Sequence, residues 1–192
     1  LEDYLNKQRL SPPADHWDDN QKLAYWINVY NALTIKLIID HYPISSIKDI
    51  GSLIQIPLIN TPWDIPLFAI SEKKLSLNDI EHNIIRKEFA EPRIHFALVC
   101  AAISCPKLRN EAYQPDQLDD QLTEQTRIFL KDKSKNVLTE KRLQLSNIFN
   151  WYGGDFRKTG SLQEFLNEYT NVLIDPKAKI SFMKYDWALN EQ

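Results

Sequence analysis

Between Leu77 and Pro106 the chain reads LNDIEHNIIRKEFAEPRIHFALVCAAISCP. This stretch carries two of the four histidines, both cysteines and the adjacent pair Glu81-His82, in otherwise apolar sequence. Titratable groups in apolar sequence are costly to bury unless each finds a partner, so function is sought here first. Cys100 is flanked by Ala97, Leu98, Val99, Ala101 and Ala102. One reading makes it a small buried hydrophobe. The other makes it a nucleophile, which needs a base and an orienting acceptor, because the thiolate is the reactive form. His82 and His95 are the candidate bases and Glu81 the candidate acceptor.

Spacing limits how these groups can meet. On an α-helix Glu81 and His82 project about 100° apart, and Glu81, four after Leu77, leans to the buried side. His95, five before Cys100, lies about 140° away from it on a helix and on the opposite side of a strand. Only a break near Val99 lets the two meet. Cys105 precedes Pro106; if Cys100 is helical and Cys105 lies past the last turn, a bridge between them is strained. A loop thiol or a resolving partner for Cys100 are the other readings. Asn28 and Asn31 fall three apart inside a strongly apolar helix, where an amide needs specific partners. The plain reading is that they bridge to neighbouring backbone; the functional one is that they orient a catalytic side chain or bind substrate.

Several chemistries lack their residues. The histidines at 16, 41, 82 and 95 show no HxxxH or HxH spacing and there is no CxxC, so no metal is expected. Glycine-rich phosphate loops and the serine elbow are missing, and no cofactor is expected. A net charge of −3 with interspersed signs argues against nucleic acid. No run of about eighteen apolar residues occurs, so no transmembrane segment is expected. The first residue is Leu1 rather than Met, which is compatible with a leader or lipid anchor trimmed from the start.

The positioning elements follow from pattern. With 192 residues and only four glycines, one domain over 1–192 is expected, with an N-terminal helix and lead-in at 1–20 and a core at 21–192. Leu1 to Leu10 reads as an amphipathic helix. Gln21 to His41 is apolar nearly all round and therefore a buried central helix, with Asp18 or Asp19 as its cap. Ile44 to Ile59 reads as short helix and loop, and Pro57, Pro62 and Pro66 exclude a long helix after it. Leu67–Ile70 with Lys73–Leu75, and Val137–Leu138 with Arg142–Leu145, read as hairpins. Ser76 caps a helix to about Phe89. Pro92 opens either a helix presenting Phe96, Val99, Cys100 and Ile103 on one face, or precedes a buried strand over Ile94–Val99. Gln114–Asp132, a short helix after Ser146 through Trp151, and Ser161–Leu173 are helical; Ile180–Tyr185 is a last strand. Tyr152, Asp155 and Phe156 either line a pocket or close the fold, and closure is the preferred reading. The sum is a helix-rich α+β single domain with a buried central helix and small antiparallel hairpins.

Four blocks, LAYWINVYNALTIKLI at 23–38, LSLNDIEHNIIR at 75–86, EPRIHFALVCAAISCP at 91–106 and NIFNWYGGDF at 147–156, resemble in order the family catalogued as domain of unknown function 547. The resemblance marks Asn28, Asn31, Glu81, His82, His95 and Cys100 as signature positions, with Cys105 a less constant one. It also implies an exported, periplasmic or secreted setting for bacterial members. A remote relation to papain-like or transglutaminase-like folds is a further expectation. The family supplies no established activity. The expected function is a thiol-dependent hydrolase or acyl transferase on a peptide-like amide or thioester, with Cys100 as nucleophile, His82 or His95 as base and Glu81 orienting the imidazole. Asn28 or Asn31 would serve as substrate-binding or orienting groups, and a small molecule or peptide as substrate. The rival expectations are a non-catalytic ligand- or peptide-binding module, and a structural domain whose polar groups form a buried network.

Overall fold

The computed structural model describes residues 1–51, 61–70, 72–158 and 160–190. The part of the expected loop that falls on 52–60, Pro57 included, lies outside the described residues, as does Ser71.

The centre of the fold is helix α2 (Asp19–His41), which follows the short helix α1 (Glu2–Leu10). Asp18 starts α2 with a capping box: its carboxylate accepts the Gln21 amide at 2.8 Å, and the Gln21 side chain accepts the Asp18 amide at 2.9 Å. Leu23, Ile27, Tyr30, Leu33 and Leu37 are buried along the helix. Its central residues bury apolar side chains on more than one face, as expected of an element surrounded by the rest of the chain. Leu5 of α1 is fully buried, and Tyr25 of α2 donates to the Gln8 carbonyl at 2.8 Å. An Asp18→Ala change removes one acceptor from otherwise orphaned amides and is expected to lower stability by about 1 kcal/mol, read by denaturant unfolding.

Strands β1 (Phe68–Ile70) and β2 (Lys73–Leu75) form the expected hairpin. Ser76 and Asp79 then satisfy each other's amides, so aspartate fills the place usually held by glutamate in a capping box. The segment that follows is not the regular α-helix expected. Residues Asp79–Ile85 wind as a π-helix and only the last turn, α3 (Arg86–Glu88), is α-helical. The wider π turn reduces the angle between successive side chains such as Glu81 and His82.

Residues Pro92–Phe96 form a 3₁₀ helix and then leave the helical path, so neither the long helix nor the strand over Ile94–Val99 forms. The cause lies in α2. The Asn31 amide donates to the Ala97 carbonyl at 3.0 Å and its oxygen accepts the Val99 amide at 3.0 Å, taking backbone groups that a helix would pair internally. Ala101 follows with φ of 56°, a left-handed conformation that side chains other than glycine seldom adopt.

The second half supplies α4 (Leu118–Lys131), β3 (Val137–Leu138), β4 (Arg142–Leu145), α5 (Ile148–Trp151), α6 (Leu162–Tyr169) and β5 (Lys179–Phe182). β3 and β4 form the second expected antiparallel hairpin, and β5 joins β4 in parallel. α6 is shorter than the expected Ser161–Leu173, because the Asn167 side chain pairs both ways with the Ile174 backbone and turns the chain. The result is helix-rich α+β. Two apolar clusters meet along the 94–105 segment: Ile94, Ala97 and Leu98 belong to the one around α2, and Phe96, Val99, Ala102 and Cys105 to the one around α4 and β4. Cys100 sits on that seam.

Candidate active site

A cleft of about 380 Å³ opens along the seam and brings together Glu81, His82, Arg86, His95, Cys100 and Cys105. Its walls are aromatic: Tyr30, Trp63, Trp151, Tyr152, Tyr185 and Trp187. A mostly apolar hollow with a few convergent polar groups has the make-up of a small-molecule site.

Cys100 is half-buried and Cys105 buried, and both are free thiols. The Cys100 sulfur lies 3.1 Å from the Tyr185 hydroxyl, and the Cys100 amide donates to the Cys105 sulfur at 2.7 Å. The Cys105 thiol donates to the Cys100 sulfur and, with the Tyr185 hydroxyl, holds Cys100 below the ordinary thiol range against the opposing push of burial. Burial pushes Cys105 and Tyr185 upward, so both stay neutral donors. Among the described residues neither imidazole makes a hydrogen bond to Cys100.

The two histidines are held in different ways. The Arg86 guanidinium, which can only donate, contacts His82 Nδ1 at 2.9 Å. That nitrogen therefore accepts, and the neutral ring carries its hydrogen on Nε2. His95 is 4% exposed and its Nε2 donates to Asp155 Oδ2 at 2.9 Å, leaving Nδ1 as its free lone pair. Burial lowers the His95 pKa more than the carboxylate raises it, so a neutral imidazole faces a carboxylate at pH 7. The His95 ring stacks on Tyr152 at a centroid distance of 3.9 Å. Asp155 is held far below the usual carboxylate range, first by the His95 N–H and then by Arg86, whose Nε donates at 2.6 Å, and by Lys158.

Glu81 bonds to neither imidazole. It is buried and accepts the Tyr30 hydroxyl at 3.2 Å, with Tyr152 as a second donor. Asn31 clamps the loop that carries Cys100, as described above. Asn28 makes the same paired contact with the Tyr113 backbone, at 2.8 and 2.9 Å, and does not line the cleft.

A family model described as "Protein of unknown function, DUF547" matches residues 14–130. The chain belongs to this family. The matched DUF547 region runs from before α2 to the end of α4 and contains Asn28, Asn31, Glu81, His82, His95, Cys100 and Cys105. Tyr152, Asp155 and Tyr185 lie beyond it. No curated protein and no solved structure matches the chain, so the remote papain-like or transglutaminase-like relation finds no support. No helix among the described residues is long and apolar enough to cross a membrane.

Three contributors to this DUF547 site are not among the site residues singled out along the sequence. Of the two readings of the WYGGDF block, closure holds for the fully buried Phe156, whereas Tyr152 lines the cleft, as the pocket reading has it, and Asp155 stands behind His95. A carboxylate between Gly154 and Phe156 in that block was the available signal. Tyr185 lies past the end of β5; hydrogen bonds from Ile103 and Ser104 to the 186–188 backbone place it, and no local pattern announces them.

Proposed function

We propose that the chain is a thiol-dependent hydrolase or acyl transferase acting on a peptide-like amide or thioester. The observation that carries this is the Cys100 sulfur, half-buried in an open cleft and stabilised as thiolate by two neutral donors, beside two histidines in complementary tautomers. Cys100 attacks the substrate carbonyl carbon. His95, oriented by Asp155, offers Nδ1 as the base. It takes the thiol proton through a cleft water or the bound substrate and returns it to the departing amine or thiol. The His82 Nε2–H is a donor for the developing oxyanion. Water, or an acceptor amine or alcohol, deprotonated by His95, then attacks the acyl-Cys100 thioester, releasing the acyl product and restoring the thiol.

The test is iodoacetamide alkylation of Cys100 followed by mass spectrometry across pH. The expected profile has a midpoint below that of an ordinary thiol, with Cys100 outpacing Cys105 and outpacing itself in the urea-unfolded chain at pH 7. A rate no faster than in the unfolded chain sinks the proposal. One observation favours a second reading, a binding module without chemistry: the Cys100 sulfur bonds to a tyrosine and a thiol rather than to a ring nitrogen. In that reading Cys100→Ser leaves ligand affinity intact and no acyl-enzyme accumulates.

A further inference from the structure

Glu81 is the buried titratable group that the proposed reaction leaves without a task. It is 6% exposed, lines the cleft, and its donors, Tyr30 and Tyr152, are both neutral hydroxyls. Among the described residues no lysine, arginine or histidine forms an ion pair with it. The guanidinium of the cleft, Arg86, is directed elsewhere, with Nε on Asp155 and Nη1 on His82. A desolvated carboxylate without a cation is unfavourable, and a ligand cation relieves that cost.

The rest of the cleft suits such a cation. Trp187 packs on Trp63 at 5.6 Å, on Trp151 at 5.7 Å and on Tyr185 at 4.6 Å between centroids, forming one continuous aromatic wall. Trp151 in that wall is 46% exposed. Aromatic faces attract ammonium groups through their quadrupoles, and this wall already does so: Lys48 Nζ lies 4.1 Å from the Trp187 ring centroid.

We propose that Glu81 and the aromatic wall form a subsite for an ammonium group, so that the substrate class is an α-aminoacyl amide or thioester with a free amine. The cleavage part rests on the proposed function; recognition of the amine does not. In such a compound one carbon separates the amine from the reacting carbonyl, in keeping with Glu81 and Cys100 sharing one cleft. The negative charge of Glu81 works against a thiolate at Cys100, and an ammonium bound to Glu81 removes that opposition. Substrate carrying the amine thus helps to activate the nucleophile, and a substrate with a blocked amine does not.

Calorimetric titration of the Cys100→Ser protein at pH 6, where an α-amine is charged, compares phenylalaninamide with N-acetylphenylalaninamide. The free amine is expected to bind at least about tenfold more tightly, and an added Glu81→Gln change to erase that preference. Equal binding, binding of neither compound, or a preference that survives Glu81→Gln overturns the subsite. The comparison of the two compounds requires no Glu81 variant, so it remains decisive even where Glu81→Gln fails to fold. Because no chemistry occurs on serine, failure here is independent of the alkylation result.

Discussion

Replacing Asp155 with alanine is expected to lower the unfolding free energy by about 3 kcal/mol, the lower end of the cost of breaking a buried charged pair, since Arg86 is partly exposed. For a chain of this length that corresponds to a melting temperature lower by roughly 6–12 °C. Three groups lose their partner at once: the His95 N–H, the Arg86 Nε–H and the Lys158 ammonium. Asp155→Asn keeps an oxygen to accept from His95 and Arg86 but loses the charge and the oxygen facing Lys158, so its loss is smaller than that of alanine. The pH dependence has a definite sign. The Asp155 pKa is depressed in the folded protein, so its contribution is present above the unfolded value near 4 and fades as pH falls toward the folded value. His95, also depressed, weakens the fold in the same direction, beginning as pH falls through its unfolded value of about 6.5. Wild type therefore loses stability in acid in two stages, and Asp155→Ala loses less in the lower one, to which Asp79 and Asp132 also contribute. Thermal melts of both proteins between neutral and acidic pH read this directly; an alanine variant within about 1 kcal/mol of wild type contradicts the account.

Asn31→Ala is the second large effect, also about 3 kcal/mol, because it orphans the Ala97 carbonyl and the Val99 amide and each buried unsatisfied group costs roughly 1–3 kcal/mol. It also frees the segment ahead of Cys100. The alkylation advantage of Cys100 is therefore expected to shrink along with stability, since the donors from Cys105 and Tyr185 depend on where that loop lies. Asn28→Ala, which removes the same pair of bonds at a half-buried site where water substitutes, serves as the control and costs less. Equal losses at positions 28 and 31 would mean that the clamp on the Cys100 loop carries no special weight.

The chain's own pattern was sufficient for the elements whose physics is local. α2 announces itself through an apolar run with an aspartate cap, and the two hairpins through pairs of short strand-like runs close in sequence. α4 follows from apolar residues at helical spacing. The stretch that holds Glu81, His82, His95 and Cys100 was also legible, because titratable groups stand out in apolar sequence.

What the tertiary structure alone decided is how those groups face one another. Helical and strand geometry both separate His95 from Cys100, and the break that places them in one cleft is made by Asn31, sixty-eight positions before the amide it accepts from Val99. The partner of His95 is Asp155 rather than Glu81, and one of the two donors to Cys100 is Tyr185, eighty-five positions away. Propensity and periodicity report only on neighbours along the chain. Hydrogen bonds between distant segments, and the burial that shifts Cys100, His95 and Asp155, exist only once the two apolar clusters have closed around the seam.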